Sequence, residues 1–349
     1  METIILNHID LDQDDRLKKA SRVLKDNGTV VFPTETVYGL GANALDEKAI
    51  AKIYKAKGRP SDNPLIVHVA SLEQVDDLVE EVPLRAKQIM EAFWPGPLTI
   101  ILKKNPDISD VVTGGLDTIA IRMPSNKIAL KIIEQSGLPI AAPSANISGR
   151  PSPTQEEHVI KDLDGRVDMI VCGGKTVFGL ESTVLDLTTS PALILRPGSI
   201  TLDDIKRVIN EVTMDPGLNE KMKDHVKPRS PGMKYTHYSP DAEVILFEGK
   251  EHAISEAIKD QLIHLPNHLK IGILATEEMA LEYLKEADNI ITLGKRSEPG
   301  DIGAMLFKAL RDFDELGVDI ILAEGIEAVG VGEAVMNRLR KAASSIIRV

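Results

Sequence analysis

Residues 33–68 read PTETVYGLGANALDEKAIAKIYKAKGRPSDNPLIVH. A β-branched run at 29–32 leads into this stretch, and its Pro, hydroxyl and Gly residues then turn the chain. An amphipathic segment follows, ends in Lys57-Gly58-Arg59-Pro60, and gives way to a second apolar run that carries His68. Strand, turn, helix and strand in that order predict an α/β sheet. The same order places hydroxyls, a carboxylate, two cations and an imidazole at strand ends, where open sheets bind ligands.

The pattern continues outward. GTVVF, PLIVHVA, PLTIILKK, TIAIRMP, PIAAPS, DMIVCGG, STVLDL and ALILRPG are rich in β-branched residues and read as strands. Amphipathic helices lie between them. Ser71 with Gln74, and Thr154 with Glu157, have the spacing of capping boxes, and Gly58 and Gly137 stand where helices should stop. An α/β domain around one twisted sheet is expected over 1–205, closing with a helix over 203–212. Residues 206–241 are polar and broken by Pro and Gly, and read as a linker. From 242 onward EVILFEG, LKIGILAT, DNIITLG and VDIILAEG alternate with helices at about 251–264, 277–287, 299–316 and 332–344. Four β-α pairs in series predict a smaller, Rossmann-like parallel-sheet domain over 242–349.

The bulk properties exclude several classes. Two domains fit 349 residues. A net charge of −12 argues against a general nucleic-acid coat, and no stretch has the ~20 apolar residues of a membrane span. The single cysteine, Cys172, forbids an intrachain disulfide and reads as a small core residue, which suits a reducing, cytoplasmic setting. No basic n-region precedes an apolar run near residue 1, so no signal peptide is expected.

Two nucleotide motifs fail on spacing. Gly173-Gly174-Lys175-Thr176 imitates the end of a P-loop, but Met169 stands where its first Gly belongs. Gly330-Val331-Gly332 opens the last helix with Val335 in place of a third Gly, and tight strand-to-helix packing explains it. The nucleophile elbow and the common zinc motifs are missing as well.

What remains is cationic and rich in hydroxyls. Lys57 and Arg59 flank a helix stop, where cations suit the helix dipole, but Pro60, Asn63 and Pro64 restrain them further. Arg122 and Arg196 end apolar strands, and a buried guanidinium needs either a protein carboxylate or a bound anion. Four cations so placed favour a phosphate ligand. PSANISGRPSPT (143–154) and Gly179-Leu180-Glu181-Ser182-Thr183 add amides and hydroxyls. Each loop alone reads equally well as a polar turn, and His68 as a satisfied core residue.

PTETVYGLG, KxRP with NPLIVH, FWPGPLT, IRMP, PSANxSG, STV and LRPG occur here in the order found in the YrdC/YwlC family, the threonylcarbamoyl-AMP synthases. SPGMKYTHYSP and the tail with AVMNRLRKAAS resemble its two-domain members. The resemblance implies a YrdC-like twisted mixed sheet followed by the Rossmann-like domain, joined by a linker reaching over the active site. It implies a nucleotidyltransferase that joins L-threonine, bicarbonate or CO2, and ATP into threonylcarbamoyladenylate with release of pyrophosphate. A separate transferase machinery then modifies tRNA. By motif, Thr36, His68, Arg122 and Ser182 should hold L-threonine. Arg59, Asn63, Thr118, Ser144, Ser152, Arg196 and Tyr235 should contact ATP, and Lys57 with Arg59 should face the departing phosphate charge. Mg²⁺ is expected with ATP, with no protein ligand named for it and no organic cofactor. The competing reading is a non-catalytic RNA-binding or translation-associated module, which the charge and the scarcity of aromatics oppose; no stable nucleic-acid or membrane binding is expected. A related carbamoyltransferase of hydrogenase maturation would need zinc-finger cysteines that this chain lacks.

Overall fold

The computed structural model describes residues 2–7, 9, 15–60, 63–219, 228–230, 238–284, 287 and 289–349. Two compact units divide the chain. One comprises Met1–Ser148, Ser152–Val177 and Glu181–Tyr235, the other Gly149–Pro151, Phe178–Leu180 and Thr236–Val349.

The first unit is built on β1 (Ile4–Leu6), β2 (Val30–Phe32), β3 (Gly39–Asn43), β4 (Ile66–His68), β5 (Leu98–Lys103), β6 (Thr118–Arg122), β7 (Ile140–Ala141), β8 (Met169–Val171), β9 (Thr183–Asp186), β10 (Ala192–Arg196) and β11 (Val212–Met214). They form one sheet in the order β1-β8-β2-β3-β7-β4-β6-β5-β9-β10-β11. The sheet contains both parallel pairs, such as β4 with β6, and antiparallel ones, such as β5 with β6, so it is mixed.

Alternation along the strands sorts side chains onto two faces. One face carries the larger core, where Val67, Ile100, Ile121, Ala141 and Leu185 meet the helix Glu47–Lys57 through Ile50 and Ile53. On the opposite face the helices Arg16–Lys25 and Lys127–Ser136 cover one half, packing Leu17, Leu24, Ile132 and Ile133 against Val30, Phe32 and Met169. The other half of that face holds a small cluster of strand residues alone: Ile66, Ala120, Ile101, Val184 and Leu195.

Helix ends follow the residues with two exceptions. Gly58 and Gly137 adopt left-handed φ of 62° and 64° as C-caps, the conformation that favours glycine. Neither expected capping box forms. The helix Glu156–Leu163 starts after Gln155 with no side-chain cap, and the Thr154 amide donates instead to His158 Nδ1. Gln74 accepts from the amide of Ala70, not Ser71. The box sits at Thr201 with Asp204, opening a helix of five residues, Leu202–Lys206. The helix expected over 203–212 is therefore cut short. Val212 is needed as a strand residue, because β11 pairs in parallel with β10.

The second unit is a five-stranded, all-parallel sheet of β12 (Glu243–Glu248), β13 (Ile271–Ala275), β14 (Asn289–Thr292), β15 (Ile320–Glu324) and β16 (Ser345–Arg348), in the order β14-β13-β15-β12-β16. The helices Glu251–His264 and Pro299–Leu316 lie where the periodicity puts them. β16 was hidden in the sequence, since SIIR is short and mostly exposed and becomes a strand by pairing with β12. Gly332 is a packing glycine: a Cβ there would come within 2.2 Å of the Glu327 carbonyl oxygen.

Cys172 is a buried thiol, pushed up to about 11 first by burial and then by Glu156 and Glu157. Among the described residues no helix is long and apolar enough to cross a membrane.

A Cβ at Gly41 would lie 2.5 Å from the Phe32 ring and 2.8 Å from Ile140 Cγ2. Gly41→Ala should therefore destabilise the protein by about 1–3 kcal/mol through overpacking. Urea unfolding should show a lower midpoint at unchanged slope.

Candidate active site

The register of the first sheet aligns the polar residues. His68 pairs with Arg122 across β4 and β6, Thr99 pairs with Val184 across β5 and β9, and Arg196 pairs with Val184 across β9 and β10. Directly paired residues point to the same face. This row lies at one end of the half-face floored by Ile66, Ala120, Ile101, Val184 and Leu195.

Arg122 anchors the row and is 3% exposed. Its Nη2 donates to Glu35 Oε1 at 2.5 Å, its Nη1 to Thr36 Oγ1 at 2.9 Å, and its Nε to the Gly96 carbonyl at 3.2 Å. Of the two partners its position called for, the protein carboxylate is present, and it is Glu35. Burial alone would raise the Glu35 carboxyl, but the Arg122 charge and hydrogen bond outweigh burial and hold its pKa below the usual 4.5. His68 is fully buried, and its ring meets Phe32 edge-on with centroids 6.3 Å apart. Burial and then the Arg122 charge push it down to about 3, so the imidazole is neutral at pH 7.

Along the row, Ser182 Oγ lies 2.8 Å from Thr99 Oγ1 and accepts from Arg196 Nη2 at 3.1 Å. Arg196 Nε donates to the Ser182 carbonyl. Next to Ser182, Glu181 Oε1 accepts from Ser152 Oγ at 2.6 Å.

The remaining expected residues lie apart from these bonds. Lys57 is 2% exposed, and its ammonium donates to the carbonyls of Ser144 and Asn146 and to Asn146 Oδ1. It thus holds the loop after β7, in which Ser144 Oγ donates to Asn146 Oδ1. Arg59 Nη2 donates to the Pro64 carbonyl at 3.3 Å. Asn63 is fully buried, with neither amide atom hydrogen-bonded among the described residues. Thr118 shares the face of Ala120 and Arg122 but begins β6, roughly 13 Å along the strand from Arg122. Asn63 precedes β4 at that same end, the two strands being parallel. Tyr235 lies outside the described residues.

Sequence reasoning assigned no role to Glu35, Thr99 or Asn146. The signal for Glu35 was available, as a carboxylate beside Thr36 and a strand-end arginine in want of one. Thr99 gave none, being one hydroxyl in an apolar run.

Against this geometry, two family models match the chain. The Sua5/YciO/YrdC model, described as "Telomere recombination", covers residues 22–198. A second, described as "Threonylcarbamoyl-AMP synthase, C-terminal domain", covers 200–344. The chain belongs to the threonylcarbamoyl-AMP synthase family. Its synthase relatives include that of Pyrococcus abyssi, 48% identical over 99% of this chain and 100% of the relative. That of Bacillus subtilis is 50% identical over 95% of this chain and 93% of the relative. Among solved structures, P. abyssi Sua5 complexed with L-threonine matches with a TM-score of 0.91 at 47% identity, covering both chains completely. The synthase resemblance read from the motifs thus extends over both units.

The depressed pKa values of His68 and Glu35 make stability depend on pH. The unfolded chain binds a proton at these groups more readily than the folded one, so their contribution is present above the unfolded pKa and lost on acidification. For His68 the loss runs from about 6.5 down to about 3, and for Glu35 it begins below 4.5. Urea midpoints should fall between pH 7 and pH 4, and His68→Gln should flatten the decline above pH 4.5. Glu35→Ala, which strands a buried guanidinium, should cost about 3–5 kcal/mol at pH 7.

Proposed function

We propose that the protein makes threonylcarbamoyl-AMP from L-threonine, bicarbonate or CO2, and ATP, releasing pyrophosphate, as the first step of threonylcarbamoyladenosine formation in tRNA. The observation that carries this is the row His68, Arg122, Ser182 and Arg196 on one sheet face, in a chain that matches threonylcarbamoyl-AMP synthases from end to end.

The chemistry needs no covalent enzyme intermediate. The threonine amine adds to CO2, losing a proton and forming a carbamate. A carbamate oxygen then forms a bond to the α-phosphorus of ATP as the bond to pyrophosphate breaks. Positioning and charge stabilisation supply the rate. Arg122 commits three of its five N–H groups to Glu35, Thr36 and Gly96, leaving two for the threonine carboxylate. Thr36, Ser182 and His68 complete the threonine subsite, and a neutral His68 adds no second cation beside Arg122.

ATP extends from Arg196 toward Thr118 and Asn63, over the apolar floor that includes Ala120, a span that suits a nucleotide. Arg59, Ser144, Ser152 and Tyr235 belong to the same subsite in this reading, and Lys57 shapes it by holding Ser144. Mg²⁺ carried on the triphosphate would neutralise phosphate charge. In this reading the ion is held by phosphate oxygens and water. The product passes to a tRNA threonylcarbamoyl transferase machinery, and the protein works in the cytoplasm.

Incubating the protein with ATP, Mg²⁺, bicarbonate and L-threonine should release pyrophosphate only when threonine and bicarbonate are both present, with the adenylate seen by mass spectrometry. ATP left intact in every mixture overturns the reading. Arg122→Lys, which removes the planar fork, should lower kcat/KM for L-threonine about tenfold or more.

A further inference from the structure

A serine or threonine hydroxyl has one proton and two lone pairs, and a guanidinium can only donate. At Ser182 Oγ, one lone pair is taken by Arg196 Nη2 at 3.1 Å. Thr99 Oγ1 lies 2.8 Å from the same oxygen. Thr99 is 0% exposed, and among the described residues Ser182 is the one partner of its hydroxyl. Were Ser182 to donate to Thr99, the Thr99 proton would be buried without an acceptor, which is costly. Thr99 therefore donates and takes the second lone pair. Ser182 can engage a ligand only by giving its proton.

We propose that Thr99 is a positioning residue that presets Ser182 as a proton donor to an oxyanion of the substrate. The proposal rests on the functional reading above and adds an orientation to it. Carboxylate or carbamate oxygen is directed to Ser182. Because the Ser182 proton is set before the ligand arrives, this hydroxyl need not reorganise to bind it. Ser182 also accepts directly from Arg196, so the threonine and ATP subsites share a hydrogen bond.

The test compares L-threonine with L-threoninol, in which a hydroxymethyl group replaces the carboxylate. Calorimetric titration would use the wild type, Thr99→Val and Thr99→Ser. In Thr99→Val the preference for L-threonine over L-threoninol should fall about tenfold, as expected for a weakened hydrogen bond to a charged group. Thr99→Ser, which keeps the hydroxyl, should restore it. In turnover, KM for L-threonine should rise in Thr99→Val while kcat at saturating threonine is retained. In a Ser182→Ala background Thr99→Val should change nothing further, because the two act through one hydrogen bond. Should Thr99→Val not fold, Thr99→Cys fills similar space with a weak donor and should show the same loss of preference. An unchanged preference, or equal weakening of both ligands, overturns the proposal. Wild-type protein that neither binds L-threonine nor releases pyrophosphate overturns the functional reading and this inference with it. Wild-type turnover with an unchanged Thr99→Val preference overturns the inference alone.

Discussion

A guanidinium buried at the end of a β-strand must be matched wherever the chain folds, and Arg122 sets that condition for the first unit. Its Nη2 requires Glu35, its Nη1 reaches Thr36, and its Nε takes the carbonyl of Gly96. Three segments far apart in sequence are thereby brought to one point. The segment 33–38 cannot move from the sheet without stranding a charge, since a broken buried ion pair costs several kcal/mol. The depressed pKa of Glu35 follows from that guanidinium, which outweighs the carboxyl's burial, and the neutrality of His68 follows from the imidazole's own burial and then from the same charge.

The sheet turns this constraint into a site. Helices pack on one face and on half of the other, and the remaining half carries a buried floor of small and medium apolar residues with the polar row along its edge. Strand register places His68, Arg122, Thr99 and Arg196 in line, at the spacing of neighbouring strands. Lys57 works differently. Its buried ammonium gathers three oxygens of the loop after β7, so its charge organises Ser144 and Asn146. The same ammonium tethers the loop that carries other polar groups.

Much of this was legible in the residues, and what was not has definite causes. Apolar runs and helix stops are local, so the strands and the caps at Gly58 and Gly137 could be read directly. The capping box at Thr154 was misplaced because its spacing was met without the geometry: Thr154 is held at its amide by His158. Val212 looked helical by neighbourhood and became a strand because an edge of the sheet was there to pair with it. SIIR near the end of the chain had the same fate beside β12.

By itself the sequence determined two α/β units, the order of their elements, and the family, because periodicity, turn residues and contiguous motifs are properties of neighbours along the chain. It also named the charges that would need partners. Only the tertiary structure decided which partners they took. Arg122 found Glu35 from 87 residues away, and Ser182 found Thr99 from 83. No local pattern encodes those distances. They follow from strand register, and register is chosen when the whole sheet buries its apolar faces at once.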